Sequence, residues 1–215
     1  MSSRRLVLAS ASPRRHELLT HLKIPFQVYT SSYDETGIPF KRDAPGDWVM
    51  ELAHGKAMTV ARQIHETVVV VGADTTVVVD GDNLGKPVDE EDAVRMLRRL
   101  SGRSHQVYTG VCVVSKDHGR LGVPICRVAV TDVYFATIPE SDIATYVAGG
   151  EPMDKAGAYG IQGDALSFIP KIEGDYYNVV GLPLTLMHEL LAPLFPDIAS
   201  PPAQPTFPFP ELVRA

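Results

Sequence analysis

Hydrophobic and polar positions follow two different periods along this chain. Short runs rich in Val and Leu, bounded by turn residues, predict strands. These runs lie at residues 6–10, 26–30, 67–73, 75–79, 106–115, 126–137, 166–172 and 178–180. Segments whose apolar residues recur three or four positions apart predict helices instead. These segments lie at residues 13–21, 47–64, 90–100, 140–148 and 183–194.

The order of the predicted elements indicates the fold class. Helices alternate with strands, but some strands follow one another through short turns, so we expect a mixed α/β sheet flanked by helices. The valine run at 68–71 has no polar position, which is typical of a strand buried on both faces. We expect one domain over residues 1–195. Residues 196–215 are rich in proline and predict a tail that is disordered or lies on the surface. The glycine-rich segment 149–163 is expected to be a loop.

Composition narrows the class of protein. The chain has 215 residues, 45% of them hydrophobic, which allows one sizeable core. A formal net charge of −6 disfavours a nucleic-acid binder. No apolar run approaches the length of a membrane span, so we expect no membrane partner. The two cysteines lack metal-ligand spacing and predict buried thiols in a reducing compartment, hence a cytoplasmic protein. The seven histidines also lack ligand spacing and are expected at the surface or hydrogen-bonded.

The junction between the first strand and the first helix predicts an anion site. Ser12 is a good N-cap and Pro13 suits the first helical position, so free backbone N–H groups and the helix dipole point at one place. Arg14 and Arg15 add two guanidinium groups, which favours phosphate, although two solvated arginines are the alternative. Ser10 lacks the His and Asp partners of a nucleophile and is expected to contact phosphate. The short apolar stretch followed by Pro-Arg-Arg excludes a signal peptide.

Two charged residues interrupt apolar patterns further along the chain. Lys56 projects from the apolar stripe of its helix, where a lysine is costly unless an anion meets it or its side chain extends to the edge. Asp74 ends the buried valine run. A carboxylate at that position is a candidate metal ligand, a general base for water, or both, with a turn aspartate as the alternative.

Six ordered motifs resemble the Maf family of nucleoside triphosphate pyrophosphatases over about residues 5–195. They are SASPRR at 10–15, GADT at 72–75, GKP at 85–87, LSG at 100–102, GGEPMDKAGAYGIQG at 149–163 and YYNVVGLPL at 176–184. The resemblance implies a strongly twisted mixed sheet, two lobes around a deep cleft, and often a homodimer. The chain departs from the family pattern by extra residues after Glu35, reaching Arg42-Asp43-Ala44.

The resemblance also implies roles for particular residues. Phosphate-binding positions are Ser10, Arg14, Arg15, Lys56 and Lys86. Asp74 matches the catalytic and metal-binding position, assisted at the metal by Glu35. Arg14, Thr75 and Gln162 match positions associated with base specificity, and Asp154 and Lys155 are supporting residues. The implied cofactor is a divalent cation, Mg²⁺ with Mn²⁺ as the alternative. The segment around Lys86 is not a P-loop, because its glycine spacing is one residue short and proline replaces Ser or Thr.

The implied reaction is hydrolysis of a nucleoside triphosphate, a small-molecule substrate, to the monophosphate and pyrophosphate. Residues 154–163 resemble the branch acting on dTTP and UTP, and family members also take modified uridine triphosphates, which suggests a housecleaning role. Three alternatives stay open from the sequence. They are the methylated-guanine branch, a phosphohydrolase that releases orthophosphate, and a nucleotide-responsive binding protein in septum formation and division control.

Overall fold

The computed structural model describes residues 4–206, which form eight strands and six α-helices. The strands are β1 (Arg5–Leu8), β2 (Phe26–Val28), β3 (Val68–Val79), β4 (Asp82–Leu84), β5 (Ser104–Asp117), β6 (Arg120–Leu121), β7 (Ile125–Tyr134) and β8 (Lys171–Glu173). The helices are α1 (Pro13–Thr20), α2 (Pro45–Gln63), α3 (Glu90–Leu100), α4 (Glu140–Ala148), α5 (Tyr176–Val180) and α6 (Leu184–Leu191). Short 3-10 turns lie at Glu151–Asp154, Ala156–Ala158 and Asp164–Phe168.

The strands form a mixed sheet, which confirms the predicted fold class. Its strand order is β2-β1-β3-β5-β7-β8, with β4 paired to β3 and β6 paired to β5. β1 runs parallel to both β2 and β3. The pairs β3–β4, β5–β6 and β7–β8 are antiparallel. The predicted strands at 67–73 and 75–79 are one continuous strand, β3, because nothing at Asp74 breaks the extended backbone.

The chain divides into two compact units. Among the described residues, the first comprises 4–74, Thr109–Ala129 and Gly181–Ala203. The second comprises Thr75–Tyr108, Val130–Val180 and residues 204–206. Strands β3, β5 and β7 each contribute residues to both units.

The core of the first unit is built from valines of the sheet and small residues of α2. Residues 68–71 of β3 are each at most 1% exposed, as expected for a strand covered on both faces. One face packs against Ala53, Ala57 and Ala61, which follow one another at every fourth position of α2. Alanine keeps the helix backbone close to the sheet, so this layer is thin and tightly packed.

A buried lysine fastens the end of α2 to the sheet. Lys116 of β5 is only 6% exposed, and its ammonium donates to the backbone carbonyls of Ala61 (3.0 Å) and Ile64 (2.6 Å). Ala61 lies in the last turn of α2 and Ile64 is its C-cap residue, so these carbonyls have no partner within the helix. The positive charge also meets the negative end of the helix dipole. Lys116 therefore caps α2 from the neighbouring strand.

The core of the second unit contains an aromatic cluster around a histidine. His105 is 3% exposed and its Nε2 lies 2.7 Å from the hydroxyl of Tyr159, while Phe135 packs edge-on against both rings. Among the described residues, Nδ1 of His105 has no hydrogen-bond partner. This histidine departs from the expectation of surface or fully hydrogen-bonded histidines. Burial is the main cause that lowers the pKa of His105 to about 3.

The strand predicted at 178–180 is wrong, because these residues belong to helix α5. The carboxylate of Asp175 accepts the backbone N–H groups of Tyr177 (2.7 Å) and Asn178 (3.2 Å), which starts a helix. The side chain of Asn178 is fully buried and donates to the carbonyl of Val107 (3.0 Å) and the hydroxyl of Thr131 (2.9 Å). Because Asn178 lies within a short apolar run, the sequence pattern gave no indication of these buried hydrogen bonds.

Two other segments differ from the predicted elements. The strand predicted at 166–172 is a 3-10 turn at Asp164–Phe168 followed by the three residues of β8. The glycine-rich segment 149–163 contains two 3-10 turns and is not a plain loop. Gly150 and Gly157 have positive φ angles and allow these turns to follow one another closely.

The proline-rich tail is described as far as residue 206, and residues 207–215 lie outside the described part. From residue 196 to 206 it contains no helix or strand. The backbone N–H of Ala199 donates to the carbonyl of Leu22 (3.0 Å). The side chain of Gln204 accepts the N–H of Tyr176 (2.8 Å) and donates to Asp175 (3.0 Å). Within residues 4–206, no helix has both the length and the apolar character required to cross a membrane.

The buried histidine predicts a distinct dependence of stability on pH. Between pH 6.5 and about 3 the unfolded chain binds a proton at His105 that the folded protein excludes. The buried neutral His105 makes its full contribution to the free energy of unfolding above pH 6.5. As the pH falls below 6.5, this contribution decreases by about 1.4 kcal/mol per pH unit. We expect His105→Gln to flatten this slope in urea unfolding measured between pH 7 and 4. The exposed His65→Gln is the control, and equal slopes for wild type and His105→Gln would contradict the prediction.

Candidate active site

The turn between β1 and α1 is preorganised by two serines. Ser12 is the N-cap of α1, and its hydroxyl accepts the backbone N–H of Arg15 (3.4 Å). Ser10 is only 7% exposed, and its hydroxyl accepts the N–H of Ser12 (3.2 Å). Pro13 occupies the first turn, as predicted. The hydroxyl of Ser10 still has a proton to donate, so this turn presents polar groups beside the positive end of a helix.

The two arginines of α1 occupy different environments. The Nε atom of Arg15 donates to the carbonyl of Gly181 (2.9 Å), which fixes its guanidinium group. Burial lowers the pKa of Arg15, the negative charges of Asp74 and Glu35 raise it, and the positive charge of Arg14 lowers it. Arg15 is thus an anchored cation that shares a neighbourhood with two acids and a second arginine. Arg14 is half-buried in the first turn of the helix.

The centre of the first unit is an ion cluster around Lys56. The ammonium of Lys56 lies 2.5 Å from Oδ1 of Asp74 and 2.9 Å from Oε1 of Glu35. The side chains of Lys56 and Asp74 are 14% and 13% exposed, whereas Glu35 is 44% exposed. An ammonium so poorly hydrated requires anionic partners. The inference from the helical pattern that Lys56 meets an anion is therefore consistent with its position.

A glycine of β3 allows this cluster to form. A Cβ atom at Gly72 would lie 2.7 Å from the backbone nitrogen of Ala57 and would also meet the carbonyl of Ala53. Only glycine therefore lets α2 approach β3 this closely. Asp74 lies two residues further along the strand and shares the face of Gly72. Lys56 precedes Ala57 on the helix, so the close contact brings the carboxylate and the ammonium together.

The loop that carries Glu35 is closed by contacts of its own. The N–H of Ile38 donates to the carbonyl of Glu35 (3.1 Å), and the ring of Phe40 packs edge-on against Trp48 of α2. The ring of Tyr33 fills the space where Gly55 lacks a side chain. The extra residues of this loop therefore fold back on α2, and Glu35 reaches Lys56.

The acids of the cluster fit a magnesium ion. Mg²⁺ is held in enzymes by one or two carboxylates, with phosphate and water oxygens completing its coordination. Asp74 and Glu35 converge on one ammonium, so their carboxylates lie within reach of one cation. Over residues 4–206, no group of three or more His, Cys, Asp or Glu side chains is arranged as a metal site. The cluster thus offers a divalent cation two carboxylate oxygens as ligands.

In the second unit, the turn that carries Lys86 is tied to the glycine-rich segment. The N–H of Gly157 donates to the carbonyl of Gly85 (3.0 Å), immediately before Lys86. The side chain of Lys86 is exposed. Gly157 has a positive φ angle, and a Cβ atom there would press against Val77 of β3. Thr75, the first residue of this unit, is half-buried in β3.

The remaining predicted residues lie in the glycine-rich segment itself. The ammonium of Lys155 donates to the carbonyl of Glu151 (2.6 Å) and to the carboxylate of Asp154 (2.7 Å). Asp154 and Gln162 are exposed, whereas the side chain of Lys155 is only 16% exposed. Lys155 thus holds the segment together, and Gln162 presents its amide to solvent.

The sequence reasoning missed two residues that hold this segment, Glu151 within it and Tyr146 of the preceding helix. Tyr146 of α4 donates its hydroxyl to Oε1 of Glu151 (3.0 Å) and accepts the N–H of Gly160 (3.2 Å). Oε2 of Glu151 accepts the N–H of Asp164 (3.1 Å). A glutamate beside two glycines and a proline has the pattern of a surface turn, so no local signal distinguishes it.

Comparisons with known proteins show the family to which this chain belongs. The family model described as "Maf-like protein" matches residues 5–194, and the chain therefore belongs to the Maf family. A protein named dTTP/UTP pyrophosphatase from Moorella thermoacetica is 51% identical over 188 residues, 87% of this chain and 94% of that protein. A protein of the same name from Geobacter sulfurreducens is 50% identical over 184 residues, 86% of this chain and 93% of that protein. A HAM1 protein from Coxiella burnetii is 18% identical, and the match covers 63% of this chain and 75% of that protein with a TM-score of 0.42.

The close contact at Gly72 makes a prediction about stability. Gly72→Ala places a Cβ atom against the backbone of α2. We expect it to lower the free energy of unfolding by about 1–3 kcal/mol, as overpacking does. Gly37→Ala is the matched control, because a Cβ atom there meets nothing within 4 Å. Urea denaturation followed by circular dichroism measures both variants. Equal stabilities for the two variants would show that the contact is not restrictive.

Proposed function

We propose that this protein hydrolyses dTTP and UTP to the nucleoside monophosphate and pyrophosphate. The observation that carries the proposal is the ion cluster in which the ammonium of Lys56 holds the carboxylates of Asp74 and Glu35. A cluster of this kind supplies a cation for a polyphosphate and two acids for a metal ion and for the attacking water. The relatives named dTTP/UTP pyrophosphatase, at 50–51% identity over most of the chain, support the choice of substrate. Removal of unsuitable pyrimidine nucleotides is the corresponding housecleaning role.

The substrate carries about four negative charges near neutral pH and requires cations at several points. In the first unit these are Arg14, Arg15 and Lys56, with the N–H groups at the start of α1 and the hydroxyl of Ser10. In the second unit Lys86 supplies a further charge. Arg15 is preorganised because Gly181 already fixes its guanidinium group.

Asp74 is the proposed general base. Its carboxylate accepts a proton from the attacking water, whose oxygen forms a bond to the α-phosphorus while the bond to the bridging oxygen of the leaving pyrophosphate breaks. Lys56 orients the carboxylate of Asp74, since its ammonium donates to Oδ1. Charge that develops on the leaving group is stabilised by the fixed cations of the site.

Asp74 and Glu35 are the proposed ligands of a divalent cation, Mg²⁺ or Mn²⁺. When bound, such a cation neutralises charge on the phosphate oxygens. The protein contributes the two carboxylates and holds them together through Lys56. Glu35 is the more exposed of the two and comes from a loop, so it is the ligand more easily adjusted to the substrate.

Base specificity is assigned to Gln162, Thr75 and Arg14. The amide of Gln162 offers a donor and an acceptor, which matches the edge of a uracil or thymine ring. Gly160 and Gly163, which flank Gln162 in this segment, allow the backbone to approach a ligand closely. Lys155 and Asp154 support this segment from within. We further propose a cytoplasmic enzyme and a homodimer, both testable by fractionation and by light scattering.

The reaction and its base are tested together by product analysis. Purified protein with Mg²⁺ is assayed on the ordinary nucleoside triphosphates and modified uridine and guanosine triphosphates, with pyrophosphate and orthophosphate measured separately. We expect pyrophosphate from dTTP and UTP. We expect Asp74→Asn to lower kcat by at least about 100-fold, because the proton acceptor is lost. The exposed Asp142→Asn should retain full activity. Release of orthophosphate would mean that a different bond is cleaved.

The metal assignment is tested by the dependence of activity on Mg²⁺. Chelation should abolish hydrolysis, and added Mg²⁺ or Mn²⁺ should restore it. Glu35→Gln removes one proposed ligand charge and should raise the Mg²⁺ concentration for half-maximal activity on the order of tenfold. Asp34→Asn is the control, because the carboxylate of Asp34 is occupied by the backbone and hydroxyl of Thr36. Identical Mg²⁺ dependence in Glu35→Gln and wild type would remove Glu35 from the metal site.

A further inference from the structure

The turn that presents Gln162 is held at both of its ends. At one end, the N–H of Gly160 donates to the hydroxyl of Tyr146 (3.2 Å). At the other, the N–H of Asp164 donates to Oε2 of Glu151 (3.1 Å). Between these points the N–H of Gly163 closes the turn onto the carbonyl of Gly160 (3.1 Å). The side chain of Gln162 therefore projects from a short backbone segment whose two ends are fixed.

A single carboxylate connects the two attachment points. Oε1 of Glu151 accepts the hydroxyl of Tyr146, and Oε2 accepts the N–H of Asp164, so both of its oxygens are used. The ring of Tyr146 is 5% exposed and packs edge-on against Phe168 at 5.6 Å, which fixes the hydroxyl in place. Glu151 is itself held by the hydrogen bond from Lys155 to its backbone carbonyl.

The two glycines of the turn show how close the carboxylate of Glu151 lies to the backbone of the turn. A Cβ atom at Gly163 would meet the carboxylate of Glu151, and one at Gly160 would lie 3.0 Å from its Oε1 and 2.6 Å from Cε of Lys155. Glycine at both positions therefore leaves room for the side chains of Glu151 and Lys155. The backbone of the turn rests on these two side chains.

We propose that Glu151 is a positioning residue for pyrimidine recognition, which acts with Tyr146 to fix the turn that presents Gln162. This inference rests on the proposed function and on the assignment of Gln162 to the base. Glu151 does not touch the substrate. It limits the orientations that the amide of Gln162 can adopt, so that its donor and acceptor face the base in one arrangement. Ordering this turn before binding avoids an entropic cost at the moment of recognition.

The test compares UTP with CTP, which differ in the donor and acceptor groups of the base edge. We expect Glu151→Gln to lower the UTP-over-CTP ratio of kcat/KM about tenfold, roughly the effect of one lost hydrogen bond to the base. The change should be in KM more than in kcat, because Glu151 is proposed to act on recognition of the base and not on a reacting group. Gln162→Ala should lower the same ratio. The double variant should be no worse than Gln162→Ala, since the two residues act through one contact.

Two further variants separate positioning from a loss of folding. Tyr146→Phe removes only the hydroxyl and keeps the ring against Phe168, so it should lower the ratio in the same direction by a smaller factor. Glu140→Gln alters an exposed carboxylate of the same helix, paired with Arg98, and should leave the ratio unchanged. Hydrogen exchange at the amides of Gly160 and Asp164 should accelerate in Glu151→Gln but not in Glu140→Gln, a result that does not depend on activity.

The outcomes distinguish this inference from the proposed function. A wild-type protein that releases no pyrophosphate from UTP contradicts the proposed function. An active Glu151→Gln enzyme with the wild-type UTP-over-CTP ratio overturns the positioning role and leaves the proposed function intact. Additive losses in the double variant overturn it as well, because they show that Glu151 and Gln162 act separately.

Discussion

The site of the first unit depends on how closely helix α2 lies against strand β3. The helix presents alanine to the sheet, and the strand presents glycine at residue 72, so two backbones touch where side chains would ordinarily separate them. This contact brings the ammonium of Lys56 within hydrogen-bond distance of Asp74. Lys116 fixes the far end of the same helix through two backbone carbonyls. The position of the charged cluster therefore depends on the close packing of alanines of α2 against Gly72 of β3.

The charges of the site are balanced against one another in a half-buried environment. Lys56 satisfies two carboxylates, and the same two carboxylates oppose the effect of burial on the pKa of Arg15. An isolated charge at this depth is costly, whereas a set of opposite charges held by neighbouring elements is tolerated. In the proposed reaction a polyphosphate exchanges its hydration for these fixed cations, so the protein has little reorganisation left to perform.

The sequence predicted the features that follow from hydrophobic periodicity and from the cost of burying a charged group. Lys56 interrupts an apolar stripe and Asp74 ends a buried valine run. Both patterns imply that a charged side chain there is costly unless a group of opposite charge meets it, and in the structure Lys56 bonds to Asp74. Helix α4 was predicted at its observed bounds. Asn178 was misassigned because a buried amide inside an apolar run carries no signal of the two residues it bonds. Glu151 escaped notice for the same reason, since its partners come from residues 5 and 13 positions away. Contacts of this kind depend on tertiary structure and not on period.

The division into two units has a consequence for how the chain folds. The chain passes from one unit to the other at five places, after residues 74, 108, 129, 180 and 203. Neither unit is therefore a continuous stretch that a ribosome could complete before the other begins, and neither can be isolated by truncation at a single point. The core of each unit must wait for late segments, since buried residues of α6 belong to the first unit and buried residues of α5 to the second. Non-local pairing of this kind slows folding.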